Sequence, residues 1–203
     1  MARGGMNDQR VYPEIDPFEM EFLTMVDLVD FTGELYEQAT KDIESVQFDA
    51  FTFESMLEIH SLQFLSFKFL STHGFFDLYH IQLETLVNLA LEMQGGYSKE
   101  NHYHCPVHVL DCVQGLHYLM THGEIVKILK KHDVFASFIG TMIHDYEHPG
   151  YTNQFIVRTK HPLATRYSDI SVLENHHLAA AFSIMFTWPK CNIMENMPYD
   201  LQL

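Results

Sequence analysis

The sequence has little positive charge and no long uninterrupted hydrophobic run. Its 203 residues include 12 Lys or Arg against 27 Asp or Glu, which gives a net charge of −15. A surface this acidic repels phosphate backbones, so no nucleic-acid partner is expected. No stretch approaches the roughly 18 apolar residues that span a bilayer, and residues 1–18 carry charges and prolines where a signal peptide would be apolar. We therefore expect a soluble, cytoplasmic protein without a membrane span.

Cysteine is also scarce. The three cysteines, Cys105, Cys112 and Cys191, form no Cys-x-x-Cys pair, which argues against a disulfide framework and against a thiolate zinc knuckle. Any metal is therefore expected to be held by histidines and carboxylates. Histidine is plentiful, with 14 in the chain, and eleven of them lie between His102 and His177. This clustering is the first indication of a functional site.

The hydrophobic spacing is helical nearly throughout, which predicts an all-α fold. Residues 1–45 are interpreted as a helical extension and residues 46–203 as the main domain, since about 150 residues make one domain. Helices are predicted over 17–29, capped by Asp16, over 53–72 with a stop at Gly74, and over 82–94 with a stop at Gly95-Gly96. Further helices are predicted to begin at Pro106, with Cys105 at the cap position, near Asp133 as the N-cap, and near Asn153. A last helix is predicted over 171–186.

The first chemical motif is His144-Asp145, which ends an apolar helix and is followed by His148 and Asn153. Adjacent His and Asp side chains chelate a divalent ion where the backbone turns, because they offer a neutral nitrogen and an oxygen that bridges two ions. A bare His-Asp pair is weak evidence, as His132-Asp133 shows, because its aspartate is better explained as a helix cap.

The second motif lies around the predicted start at Pro106. His108 and Asp111 are three residues apart and therefore share a helical face, and His104 lies just before that helix. Taken singly, each of these residues is more often a satisfied polar group than a ligand. The simplest alternative for the whole chain is accordingly a helical protein with incidental histidines.

Taken together, the motifs resemble a known family. Tyr103-His104-x3-His108-x2-Asp111, the element from His144 to Asn153, and Ser171-Val172-Leu173-Glu174-Asn175-His176-His177 are similar to the catalytic domain of the class I 3′,5′-cyclic nucleotide phosphodiesterases. The similarity begins near Phe48 and covers about three quarters of the chain. It implies a multi-helix catalytic domain of the HD type that hydrolyses cAMP, cGMP or both to the 5′-monophosphate.

The resemblance also implies two divalent ions, zinc and magnesium or manganese. His108, His144 and Asp145 look like the metal ligands, with Asp145 bridging the two ions. By the same resemblance the ions lower the pKa of water to provide the attacking hydroxide and neutralise charge on the cyclic phosphate. A cyclic nucleotide is the implied partner.

The remaining roles are carried over from the same resemblance. His104 resembles the general acid that protonates the departing 3′-oxygen, and Glu174 resembles the carboxylate that orients it. His148 and Asp111 are similar to residues that support the metal site from outside the ligand set. The implied substrate contacts come from His104, His108, Asp145 and Asn153.

The sequence also departs from the family pattern. The family has Asn where this chain has Cys105, which predicts a weaker helix cap. No counterpart is found for the family's last helical subdomain, which supplies a fourth metal-ligand Asp, a base-binding Gln and an aromatic clamp, and Asp200 is not assigned to that role. We therefore expect a partial catalytic domain, truncated on its C-terminal side.

Two further functions stay open at this stage. The chain is either a phosphodiesterase or a non-catalytic fragment that acts as a binding or regulatory module. Such a fragment would associate with itself or with another chain through the apolar face that the absent subdomain leaves exposed. A third possibility is another phosphohydrolase of the wider His-Asp metal group that acts on a nucleotide monophosphate, against which Tyr103-His104 and residues 174–177 argue by resemblance.

Overall fold

A computed structural model describes residues 17–25 and 34–198. These residues form α-helices and short 3-10 helices and contain no strand, so the all-α prediction is confirmed. The α-helices are Pro17–Met25 (α1), Glu34–Ile43 (α2), Ala50–Leu57 (α3), Ser61–His73 (α4), Phe75–Tyr79 (α5), Leu83–Gly96 (α6), Pro106–His122 (α7), Lys131–Ile143 (α8), Asn153–Arg158 (α9), Pro162–Arg166 (α10) and Val172–Thr187 (α11). Short 3-10 helices span Glu58–His60, Glu124–Lys127 and Pro189–Cys191.

The single helix predicted over 53–72 is wrong, because the chain forms two helices there. α3 begins earlier, at Ala50, because the Asp49 carboxylate accepts hydrogen bonds from the backbone N–H groups of Phe51 and Thr52. The helix then breaks at Glu58, whose φ of 49° lies in the left-handed region that interrupts a right-handed helix. The predicted stop at Gly74 is confirmed, since Gly74 caps α4 with a φ of 70°.

Other helix starts were predicted with mixed success. α7 begins at Pro106 as expected, and Cys105 occupies the cap position without a side-chain capping bond. Asp133 is not the N-cap of α8. Lys130 holds that position, and the Asp133 carboxylate instead accepts a hydrogen bond from the Lys130 N–H at 3.1 Å. In the first predicted helix, Asp16 and residues 26–29 lie outside the described part of the chain.

One apolar core joins most of the elements. α7 packs against α3, α4 and α8, and aromatic rings fill the space between them, as where Phe69 of α4 stacks on Phe138 of α8 with ring centroids 4.7 Å apart. α1 belongs to the same core, because Phe22 stacks on Phe67 at 4.3 Å. The packing of α7 on α8 brings the first turn of α7 close to the end of α8.

A smaller apolar cluster lies among α9, α10 and α11. Ile156, Ala164, Val172 and Leu173 are its buried members. It holds the start of α9 beside the start of α11, which brings Asn153 close to Glu174. None of the described helices is long and apolar enough to cross a membrane.

Candidate active site

The His144-Asp145 pair lies where α8 ends, and buried contacts fix the backbone there. The hydroxyl of Tyr97 donates to the carbonyl of Met142 at 3.1 Å and accepts the N–H of Asp145 at 3.3 Å. Gly96 lies so close to the Tyr146 ring that a Cβ at position 96 would collide with it. Gly96 and Tyr97, at the end of α6, therefore fix the position of the residues at and just after the end of α8.

His108, in the first turn of α7, meets this pair. Its Nε2 lies 3.1 Å from His144 Nε2 and 3.2 Å from Asp145 Oδ2, and His144 Nε2 is itself 3.1 Å from Asp145 Oδ2. The other ring nitrogen of His144, Nδ1, donates to the carbonyl of Thr141 at 2.7 Å, which directs Nε2 toward the site. The structure thus brings together the three residues that the sequence predicted as metal ligands.

His104 and His148 form the other side of the site. Their rings stack with centroids 3.6 Å apart, and His104 Nε2 lies 3.8 Å from Asp145 Oδ2. Asn101 joins them, because its amide donates to the carbonyl of His148 and its side-chain oxygen accepts the N–H of His104. His177 completes the group. Its Nε2 lies 3.7 Å from Asp145 Oδ1, and its Nδ1 bonds to the carbonyl of Tyr146 at 2.7 Å.

Glu174 and Asn153 pair with each other beside this cluster. The Asn153 amide donates to both carboxylate oxygens of Glu174, at 3.1 and 3.0 Å, while its oxygen accepts the N–H of Leu173 at 2.8 Å. The Glu174 carboxylate therefore accepts hydrogen bonds from the Asn153 side chain. The role of Glu174 in orienting His104 stays a prediction.

Two residues of α7 differ from what the sequence suggested. Asp111, predicted to support the metal site, is exposed and lines a groove with Phe51 and His108. Cys112, to which the sequence gave no role, has its sulfur 3.8 Å from His108 Nε2. The signal for it was present, because the spacing His108-x3-Cys112 puts both side chains on one face of a helix.

Three histidines of the site, His108, His148 and His177, have lowered pKa values. Burial and the neighbouring His144 lower the pKa of His108, and burial followed by His104 lowers the pKa of His148 to about 4. Burial also lowers the pKa of His177. Neutral imidazoles offer lone pairs to a cation at neutral pH, so these shifts favour metal binding.

His144 and Asp145 form the charged pair of the site. Burial opposes the charge on His144, but hydrogen bonds to Asp145 and Cys112 raise its pKa to about 10. Burial likewise opposes the charge on Asp145, but the hydrogen bond and charge of His144 hold its pKa well below the usual range. A carboxylate that stays ionised amid several ring nitrogens is a strong ligand for a divalent ion.

The donor atoms fit such an ion. Metal–nitrogen and metal–oxygen bonds of about 2.0–2.2 Å in a tetrahedral site place donor atoms about 3.3–3.6 Å apart. The separations of 3.1–3.2 Å among His108, His144 and Asp145 lie within a few tenths of an ångström of that value. Within the described part of the chain, ligand atoms also converge within 4.8 Å in two groups, which are His108 with Cys112 and His144, and His104 with Asp145 and His148. Asp145 contacts both groups, as a residue that bridges two ions would.

A cleft of about 550 Å³ opens onto this cluster. His104 and His148 form part of its wall, together with Tyr103, Pro149 and Tyr151. Its volume falls in the range of small-molecule sites, and the histidines give it polar groups directed at one end. The cleft is large enough for a compact ligand that contacts His104 and His148.

Comparison with known proteins gives consistent matches. Residues 103–202 match the family model described as 3'5'-cyclic nucleotide phosphodiesterase. The chain is 35% identical over 163 residues to the mouse dual specificity calcium/calmodulin-dependent 3',5'-cyclic nucleotide phosphodiesterase 1C, which is 80% of this chain and 23% of the mouse protein.

Two further relatives cover the same part of the chain. The probable 3',5'-cyclic phosphodiesterase pde-1 of Caenorhabditis elegans is 34% identical over 161 residues, which is 79% of this chain and 24% of the worm protein. The 3',5'-cyclic-AMP phosphodiesterase 4C of Rattus norvegicus is 32% identical over 164 residues, again 79% of this chain and 30% of the rat protein. The chain thus matches less than a third of the length of each of these relatives.

Proposed function

Because this chain belongs to the 3'5'-cyclic nucleotide phosphodiesterase family, we propose that it hydrolyses 3′,5′-cyclic nucleotides, cAMP or cGMP, to 5′-monophosphates. The observation that carries the proposal is the convergence of His108, His144 and Asp145 within 3.2 Å of one another beside the cleft. Two divalent ions, zinc with magnesium or manganese, are the proposed cofactors. A cytoplasmic location stays a prediction of the sequence.

The described residues support a division of labour in this reaction. His108, His144 and Asp145 would hold the ions, which when bound supply the acidity that makes water a nucleophile at neutral pH and positive charge beside the phosphate. His104 faces the cleft and lies close to Asp145, so it is placed to hold a proton near the substrate. We assign it the proton that the departing 3′-oxygen takes up.

The other polar residues position these groups. His148 keeps the His104 ring in place by stacking on it, and Asn101 ties the two backbones together. Asn153 holds the Glu174 carboxylate at the start of α11, where that carboxylate adds negative charge next to the histidine cluster. We propose that Asn153 also contacts the substrate, in line with its predicted role.

Hydrolysis of cAMP and cGMP by the purified chain with added zinc and magnesium tests this function. His104→Ala should lower the rate by about 10²-fold to 10⁴-fold, because a general acid contributes that much, while the bound metal is unchanged. His132→Ala is the matched control, since His132 pairs with Asp133 on the surface, and it should keep the wild-type rate. Equal rates for His104→Ala and the wild type would contradict the proposal.

A second candidate function is a non-catalytic binding or regulatory module. The observation in its favour is the exposure of three large apolar side chains on and just after α11, namely Leu178, Phe186 and Trp188, of which Phe186 is 61% exposed. Apolar surface of this kind is typical of interaction sites. Sedimentation velocity, measured beside the hydrolysis assay, tests this second function. A folded, metal-loaded chain that is monomeric and does not hydrolyse cyclic nucleotides would support neither function.

A further inference from the structure

Cys112 is the one sulfur ligand that the described structure brings to the metal-binding histidines. It lies one helical turn after His108 on α7, so both side chains project from the same face. Its Sγ is 3.8 Å from His108 Nε2 and within 4.8 Å of the ligand nitrogen of His144. The sequence alone favours histidines and carboxylates as the whole ligand set, and the proximity of Cys112 to His144 emerges only from the fold.

The separation of Cys112 Sγ from His108 Nε2 is close to that in a mixed nitrogen and sulfur site. With metal–sulfur bonds of about 2.3 Å and metal–nitrogen bonds of about 2.0–2.1 Å, a tetrahedral ion holds sulfur and nitrogen about 3.6 Å apart. Because Cys112 Sγ lies 3.8 Å from His108 Nε2 and 3.9 Å from His108 Nδ1, it must move by roughly an ångström or more to reach an ion in line with Nε2, and rotation of the cysteine side chain about χ1 allows this movement. His108 and His144 already present their Nε2 atoms 3.1 Å apart.

We propose that Cys112 is a protein ligand of one of the two divalent ions, together with His108 and His144, and that its thiolate selects zinc at that position over magnesium. On binding, the S–H bond is replaced by a sulfur–metal bond and the proton goes to solvent. Thiolate is a soft ligand that suits zinc and binds magnesium poorly, whereas carboxylates suit both ions. The inference rests on the metal centre of the proposed function.

This assignment also divides the cluster between two ions of different character. His108, Cys112 and His144 offer nitrogen and sulfur, while Asp145, which would bridge the two ions, offers oxygen on the side of His104 and the cleft. Since ligand softness decides metal preference, the first group suits zinc and the oxygen-bearing side accepts a harder ion. The chain therefore encodes which ion occupies which position.

Cobalt absorption spectroscopy tests the proposal, because Co²⁺ replaces zinc and thiolate–cobalt bonds give a sulfur-to-metal charge-transfer band in the near ultraviolet. The wild-type chain loaded with Co²⁺ should show this band together with the visible bands of a tetrahedral site. Cys112→Ser should lose the charge-transfer band and keep the visible ones. It should also bind zinc at least about tenfold more weakly, as expected for a lost ligand.

Cys105→Ser is the matched control, because Cys105 lies near the same end of α7 and should leave the spectrum unchanged. Cys112→Val serves as a second variant and preserves the helix packing if serine perturbs it. Cobalt bound with visible bands but no charge-transfer band in the wild type would overturn the sulfur ligand and leave the proposed function standing. A charge-transfer band that survives in a folded Cys112 variant would likewise overturn the sulfur ligand. Absence of any cobalt binding would overturn both.

Discussion

At the residue scale, the site is oriented by backbone carbonyls. His144 Nδ1 bonds to the carbonyl of Thr141 and His177 Nδ1 to that of Tyr146, both at 2.7 Å. Each bond fixes the proton on one ring nitrogen and leaves the other facing Asp145. The ring orientations are therefore set before any ion binds, which reduces the free energy spent on ordering the ligands.

His73 shows a different use of a buried histidine, away from the site. It lies against the rings of Phe69 and Phe75, and its Nε2 is buried without a hydrogen-bond partner among the described residues. Burial, with the nearby charges of His117 and Lys131, lowers the pKa of His73 to about 4, while Glu44 opposes them. In the unfolded chain its pKa is about 6.5.

The stability of the protein should consequently depend on the protonation of His73. Between about pH 6.5 and pH 4, His73 is protonated in the unfolded chain but mostly neutral in the folded chain. The free energy of unfolding therefore falls as the pH falls through this window. His73→Leu should remove about 2 kcal/mol of that loss, measured by urea unfolding at pH 7 and pH 4.5. Parallel pH profiles for the variant and the wild type would contradict the assignment.

The three proposed metal ligands could be predicted from the sequence, but the nearby Cys112 could not. Residue type and spacing, together with the resemblance, singled out His108, His144 and Asp145, and the structure brings them together. Cys112 belongs to no Cys-x-x-Cys pair, so the sequence carries no thiolate-site motif for it. Its proximity to His144 depends instead on how α7 packs on α8, and sequence spacing does not contain that information.

At the scale of elements, helices were predicted well where hydrophobic spacing and helix-start signals agreed. The start of α7 at Pro106 is the clearest case, because proline is favoured in the first helical turn. The break at Glu58 was missed because apolar residues continue on both sides of it and no glycine or proline marks the turn. Periodicity identifies a buried face and says little about a left-handed residue within it.

The end of α6 offers a test of how elements hold the site. Gly96→Ala would push a Cβ into the ring of Tyr146, which is buried and follows Asp145 directly. We expect a loss of about 1–3 kcal/mol in the free energy of unfolding and weaker zinc binding, because the carbonyl of Tyr146 also holds His177.

Gly95→Ala is the matched control for this prediction. Nothing lies within 4 Å of a Cβ at position 95, so alanine should raise stability slightly through its better helix propensity and leave zinc affinity unchanged. Thermal unfolding and zinc titration of both variants measure the two effects. If both substitutions behaved alike, the close contact between Gly96 and Tyr146 would not be what positions the site.

At the scale of the whole molecule, the N-terminal helices share the core of the main domain. Phe22 is fully buried against Phe67, and the Gln114 amide on α7 donates to the carbonyls of Ile43 and Ser45, both at 2.9 Å. The predicted division at residue 45 stays a prediction. These contacts nevertheless lead us to expect one cooperative unfolding unit across it.

Phe22→Ala tests that expectation. Removal of a buried aromatic ring should cost about 3–5 kcal/mol and shift the single transition of the whole chain, because the cavity opens in the shared core. Met25→Ala, on the exposed side of α1, should change stability by less than about 1 kcal/mol. Denaturant unfolding followed by circular dichroism provides the measurement. A main transition that Phe22→Ala leaves unchanged would show that residues 1–45 form a separate unit.

The central claim is that His108, His144 and Asp145 hold the ions on which cyclic nucleotide hydrolysis depends. The most direct test is the hydrolysis of cAMP and cGMP by chelator-treated protein before and after zinc and magnesium are restored. Asp145→Asn is measured alongside, with Asp133→Asn from the surface His-Asp pair as control. We predict that the wild type and Asp133→Asn lose activity on chelation and regain it with metal, whereas Asp145→Asn stays inactive. Hydrolysis that survives chelation, or an active Asp145→Asn variant, would contradict the account.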